Sequence, residues 1–182
     1  MTVRAVVVGG DRSNGPHPLT MLGGRPLVVH AVCALLDSAL VDHVVVLDCD
    51  DRADAVLAAC TGLPVSVRAG LASVRTHATQ RAGPAAGDDP GDIVVLHDVA
   101  RPLAPPGLAI AVVEAVRRGG AAAVPTLPMP DTVKRVDGSG LVTASIDRET
   151  LRLLQTPQAV RRELLTGPPL RAAVALARAG HP

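Results

Sequence analysis

Five short apolar runs constrain the folding of this chain more than any other feature: Ala5–Val8, Val44–Leu47, Val65–Val67, Ile93–Leu96 and Ala121–Val124. Each is too short for a helix, and uninterrupted apolar runs of this kind mark strands buried on both faces. Most are separated by segments of helical composition, so the order predicts an α/β fold with a mostly parallel sheet flanked by helices. The first crossover is the clearest. Gly23-Gly24 turns the chain, Pro26 suits the first helical position, and Leu27-Val28, Val32 and Leu35-Leu36 recur at helical spacing. Asp50–Cys60 and Gly107–Arg118 have the length of sheet-covering helices, the second opening after Pro105-Pro106 and closing at Gly119-Gly120. Arg81–Asp92 reads as a loop, and Pro168–Pro182 as an Ala-rich helix.

With 182 residues the chain is expected to form one domain, 1–182. Its 48% hydrophobic and 19% charged content excludes a wholly disordered chain. The core must be built without a single Phe, Tyr or Trp. Each buried Val or Leu contributes about 1.5–3 kcal/mol, so an aliphatic core suffices for modest stability. The missing aromatics remove the stacking platforms of single-strand nucleic acid binders, and a net charge of +1 gives no polyanion attraction. Nucleic acid is therefore not the expected ligand. Cys33, Cys49 and Cys60 are odd in number and lack metal-site spacing, so they read as small buried hydrophobes. Met1 leads directly into the first strand pattern, and no stretch is long and uncharged enough to span a membrane, so a cytoplasmic protein is expected.

The run at Ile93 carries the strongest functional signal, because Ile93-Val94-Val95-Leu96 breaks into His97-Asp98-Val99-Ala100-Arg101-Pro102. It reads as a buried strand delivering a carboxylate. Ligands of open α/β sheets sit beyond the carboxyl ends of the strands, where Asp98 would meet a metal, ribose or phosphate. The alternative is that Asp98 caps the following turn. Further on the alternation fails, and Asp131–Thr143 reads as a hairpin turning at Asp137-Gly138. Such an insertion flanks the sheet or reaches another subunit.

In chain order, Leu22-Gly23-Gly24-Arg25-Pro26-Leu27, Leu96–Pro102, Asp131-Thr132-Val133-Lys134-Arg135, Asp147-Arg148 and Gln155-Thr156-Pro157-Gln158 resemble the 2-C-methyl-D-erythritol 4-phosphate cytidylyltransferases of the non-mevalonate isoprenoid pathway. The resemblance spans Val3 to about Leu165. It implies a Rossmann-like nucleotidyltransferase fold with a protruding β-arm at about 128–156, working as a homodimer through that arm. It also implies CMP transfer from CTP to a sugar-alcohol phosphate with Mg²⁺ and pyrophosphate release. By the same resemblance Asp98 organises the metal and substrate, and Thr132 and Arg148 hold the acceptor across the dimer interface. Arg101 and Thr156 match further positions around that pocket, while Val8, Gly9 and Gly10 match the nucleotide loop. An Arg fork suits a phosphate, and a strand-end carboxylate suits Mg²⁺.

The chain departs from the family on the CTP side. The family's loop carries an Arg and then a Pro-Lys pair that grip the CTP phosphates. Here Val8-Gly9-Gly10-Asp11-Arg12-Ser13-Asn14-Gly15-Pro16-His17 is shorter and places His17 where the lysine is expected. Arg12 would replace the loop Arg, and Lys134 is the only lysine in the chain. The cytosine-contacting cluster survives as Gly70 and Arg75 with Ala78 at the serine position, or alternatively aligns through Ser73-Val74. The family's closing acidic helix and last strand are also absent, so the sheet is expected to lose a strand. Two readings stay open: an active CTP-dependent cytidylyltransferase using Arg12, His17, Asp98 and Arg148, or a catalytically impaired paralogue keeping the fold for nucleotide binding, regulation or assembly. A protein that only scaffolds would bind no nucleotide at all.

Overall fold

The computed structural model describes residues 1–9, 16–48, 52–69 and 92–165. In chain order these form β1 (Val3–Val8), β2 (Met21–Leu22), β3 (Arg25–Pro26), α1 (Leu27–Leu36), β4 (Val44–Asp48), α2 (Ala53–Ala59), β5 (Val65–Ala69) and β6 (Ile93–Asp98). Then follow α3 (Pro106–Arg117), β7 (Ala122–Ala123), β8 (Thr126–Pro128), β9 (Val133–Val136), β10 (Val142–Ile146), β11 (Arg152–Leu154) and β12 (Gln158–Arg161).

The central sheet has the order β5-β4-β1-β6-β12-β7. The strands β5, β4, β1 and β6 are parallel, and β12 runs antiparallel to β6 and β7. The mostly parallel sheet read from the apolar runs is therefore present. Along β1, Ala5 and Val7 join one buried cluster with residues of α1, α2 and α3, while Val6 and Val8 join a second cluster on the opposite face. Alternation of this kind puts successive side chains on opposite faces, so both must be apolar when both are covered. The largest fully buried side chains are aliphatic except for His97, the one ring in the core's inventory.

Pro26 caps α1 rather than occupying its first turn, and contributes no side-chain hydrogen bond. The helix's first N–H groups are instead met by backbone: Leu27 donates to the Thr20 carbonyl at 2.9 Å and Val28 to the Pro18 carbonyl at 3.0 Å. The preceding turn holds Gly23 and Gly24 at φ of +56° and +81°, which side-chain-bearing residues disfavour. In the described part of the predicted Asp50–Cys60 helix, regular helix begins at Ala53. Pro106 opens α3 at its first position, one residue earlier than the sequence predicts, because a proline needs no N–H partner there. The strand expected at Ala121–Val124 shrinks to β7's two residues.

The hairpin is present as β9 paired with β10. Its turn spans five residues and closes with the Asp137 N–H donating to the Leu141 carbonyl at 3.0 Å. The Asp137 carboxylate accepts from the Ser139 hydroxyl and the Leu141 and Ser139 N–H groups, which holds its pKa below the usual carboxylate range. A second ribbon pairs β8 with β11 and forms the arm's base. Neither this ribbon nor β12 was expected from the sequence. Among the described residues no helix is long and apolar enough to cross a membrane. The loop read at Arg81–Asp92, save Asp92, and the helix read at Pro168–Pro182 lie outside the described residues.

Candidate active site

The strand order turns β1 and β6 into a switch point, because the chain winds from β1 out through β4 to β5 and then returns to the other side of β1 as β6. The crevice outside the carboxyl ends of two such strands is where open α/β sheets bind ligands. Val8 pairs with Leu47 on one side and Asp98 on the other, so three strand ends are level there. Gly9 donates to the Leu47 carbonyl at 2.7 Å, and Val99 to the Val8 carbonyl at 3.1 Å.

Asp98 ends β6 half-buried, and its Oδ1 accepts the Ala100 N–H at 2.9 Å. The capping reading is thus present in one oxygen, while the other has no hydrogen-bond partner among the described residues. The break in the apolar run falls one residue later than the sequence suggests, because His97 is wholly buried. Its Nδ1 lies 2.9 Å from the Thr156 hydroxyl, and its Nε2 has no hydrogen-bond partner among the described residues. Burial pushes the imidazole's pKa down to about 4, the Arg101 guanidinium adds to the shift, and the Arg101 backbone offsets part of it. Thr156, itself buried, also accepts the Asp98 N–H at 3.2 Å. Its hydroxyl is thus engaged inside the protein.

Arg101 is exposed and ties this corner to the arm's base. It donates to the Gln155 Oε1 at 2.5 Å and to the Leu154 carbonyl at 3.3 Å. Gln155 stands in a quoted motif, yet the sequence reading gave it no role; its side chain completes the contact. Arg148 lies farther out, donating to the Pro130 carbonyl at 2.9 Å beside exposed Thr132, with Glu149 at 3.8 Å. The structure therefore groups Asp98, Arg101 and Thr156 at one corner and Thr132 with Arg148 on the arm. It records no hydrogen bond or ion pair joining the two groups within one chain.

On the nucleotide-loop side, Val8 and Gly9 are buried at the carboxyl end of β1. His17 is held by its own backbone neighbourhood: its Nδ1 accepts the Leu19 N–H at 3.1 Å, and its Nε2 lies 2.7 Å from Arg52 Nη1. Arg52 was missed by the sequence reading, which had no local signal for a partner 35 residues away. Gly10, Arg12, Gly70 and Arg75 lie outside the described residues, as do Ser73-Val74 and Ala78. The only lysine, Lys134, is committed on the arm to the Ser145 hydroxyl at 2.5 Å.

The family model described as IspD, 2-C-methyl-D-erythritol 4-phosphate cytidylyltransferase, matches residues 5–176. A relative of that name from Frankia casuarinae is 44% identical over 159 residues, covering 86% of this chain and 59% of the relative. Another from Rhodococcus jostii is 43% identical over 152 residues, covering 84% of this chain and 66% of the relative. The chain thus spans about three-fifths to two-thirds of the length of these curated relatives. The crystal structure of the Thermus thermophilus protein of the same name superposes over 100% of this chain and 86% of its own, with a TM-score of 0.71 at 28% identity.

Proposed function

This chain belongs to the 2-C-methyl-D-erythritol 4-phosphate cytidylyltransferase family, and from that premise we propose that it transfers CMP from CTP to 2-C-methyl-D-erythritol 4-phosphate with release of pyrophosphate. The observation that carries the reading is the corner built from Asp98, Arg101 and Thr156 at the β1/β6 switch point, inside the matched span. An oxygen of the acceptor's phosphate attacks the CTP α-phosphorus. A new P–O bond forms, the bond from the α-phosphorus to the bridging oxygen breaks, and its electron pair leaves with pyrophosphate. Such transfers depend almost wholly on positioning and charge stabilisation.

Asp98 is the residue we assign to Mg²⁺. The described residues contain no group of three His, Cys, Asp or Glu side chains able to cage a metal. One carboxylate with an oxygen uncommitted among the described residues suits Mg²⁺ bound jointly with substrate phosphates, which is how this ion is usually held. When bound there it would neutralise charge on the phosphates. Arg101 orients the corner through Gln155, and Arg148 and Thr132 would grip the acceptor's phosphate by charge and hydroxyl.

The arm supports a homodimer. Val136, Leu141 and Val142 are 56%, 68% and 63% exposed on a two-stranded hairpin. An isolated hairpin of two strands is marginal in water, so a second copy packed on this face would stabilise it. It would also bring Thr132 and Arg148 of one chain toward the Asp98 corner of the other.

The test is pyrophosphate release by the purified full chain with CTP, Mg²⁺ and methylerythritol phosphate. Release that requires both substrates and prefers CTP over ATP and GTP supports the reading. Release no faster than that of Asp98→Asn overturns it, and CTP binding without turnover would then identify the impaired paralogue.

A further inference from the structure

His17 and Arg52 present two hydrogen-bond donors to one another. With Nδ1 committed as acceptor to the Leu19 N–H, a neutral imidazole carries its proton on Nε2, and Arg52 Nη1 at 2.7 Å can only donate. Protonating the ring does not help, since both nitrogens then donate. Among the described residues no carboxylate pairs with either side chain. The conflict disappears when an anion stands between them and accepts from both.

Position favours a polyphosphate. His17 follows β1 and Arg52 follows β4 in chain order, and the parallel strands β1 and β4 end on the same edge of the sheet. The ring is pre-set, because the carbonyls of Pro18 and Thr20 are bound by the first N–H groups of α1 and the Leu19 N–H fixes Nδ1. In the strand order Asp98 on β6 separates this pair from β12 and β7, the side to which Arg101 ties the arm's base. From β4 to β6 is two strand spacings, about 10 Å, the reach of an extended triphosphate. Acceptor groups on the arm and cationic groups at β4 would thus approach Asp98 from opposite sides.

We infer that His17 and Arg52 together grip the β,γ end of the nucleoside triphosphate, with Arg52 supplying the permanent charge that an imidazole lacks. This rests on the CTP reading above. An Arg fork is suited to phosphate oxygens and stays charged at any working pH.

Calorimetric titrations of the full chain with CTP, inorganic pyrophosphate and CMP, at one fixed salt concentration, test it. Arg52→Ala is expected to weaken CTP and pyrophosphate about tenfold, the scale of one charge-assisted hydrogen bond, and to leave CMP affinity unchanged. Arg52→Lys should lose less, and Arg117→Ala, on the far end of α3, should lose nothing. Unchanged pyrophosphate and CTP affinity in Arg52→Ala, or an equal loss for CMP, overturns the grip while leaving the CTP reading intact. Wild-type chain that binds pyrophosphate but not CTP overturns the CTP reading and leaves the anion grip standing. Binding of neither overturns both.

Discussion

The Thr156 hydroxyl lies 2.9 Å from His97 Nδ1 and accepts the Asp98 N–H at 3.2 Å. One side chain at the entry to β12 therefore fastens the end of β6, where Asp98 leaves the core. The hydroxyl can accept the Asp98 N–H while donating to Nδ1, which leaves the ring proton on Nε2. That nitrogen is buried with no hydrogen-bond partner among the described residues, so beside the Arg101 backbone the ring has the Thr156 hydroxyl as its polar contact.

Thr156→Val keeps the shape and removes the hydroxyl, leaving Nδ1 and the Asp98 N–H unpaired. The expected loss is about 1–3 kcal/mol of stability, the cost of stranding buried polar groups. Thr156→Ser retains the hydroxyl and should lose less. Urea titrations of the three proteins at pH 7.5 read this directly; a Val variant as stable as the Ser variant would show that the bridge contributes nothing.

The buried imidazole makes stability depend on pH. Its folded pKa of about 4 lies below the ordinary value of 6.5, so between these values the unfolded chain binds a proton that the folded chain refuses. Stability from this group is complete above about pH 6.5 and declines as pH falls toward 4, by about 3 kcal/mol in all. His43, half-buried between β4 and β5 and lowered first by burial and then by Arg4 and Arg68, acts in the same direction. Urea midpoints from pH 7.5 to 4.5 should fall steeply in the wild type and less in His97→Gln. Parallel slopes would place the titration elsewhere.

The strands that build the site were legible because they are buried on both faces, and continuous Val, Leu and Ile runs say so without help from partners. The strand β12 was not, since Gln158-Ala159-Val160-Arg161 is short and enters the sheet antiparallel to β6, against the alternation that located the others. Asp98 was readable from the end of its run. His97 was misread as part of the break, because a histidine buried on one hydroxyl looks in sequence like a polar residue at a strand end. Contacts joining distant segments, such as Arg101 with Gln155 or His17 with Arg52, leave no local pattern.

Asp98→Asn separates the residue's two duties. An amide oxygen can still accept the Ala100 N–H, so the turn should survive and thermal stability should change little. The charge offered to Mg²⁺ is lost. Removing a preorganised electrostatic partner of a phosphoryl transition state typically costs about 10²–10³ in rate, and kcat/KM should fall by that much. Equal loss of melting temperature and activity would instead reduce Asp98 to a capping residue.

The arm makes the sharpest prediction, because Arg148 and Asp98 share no recorded contact within one chain. If Arg148 of one copy serves Asp98 of the other, each single variant is inactive for a different reason. A mixed dimer of Asp98→Asn with Arg148→Ala then contains one site with both lesions and one with neither. Random pairing of equal amounts gives half mixed dimers, each with one working site of two, so about a quarter of wild-type activity should return. Were both residues supplied by the same chain, every site would carry one lesion and mixing would restore nothing. Co-refolding or co-expression of the two variants, followed by the pyrophosphate assay, decides between these outcomes. A second measurement guards against a dimer that fails to exchange: differently tagged copies must co-purify in the mixture. Recovery near a quarter with co-purification establishes that the site is built from both chains.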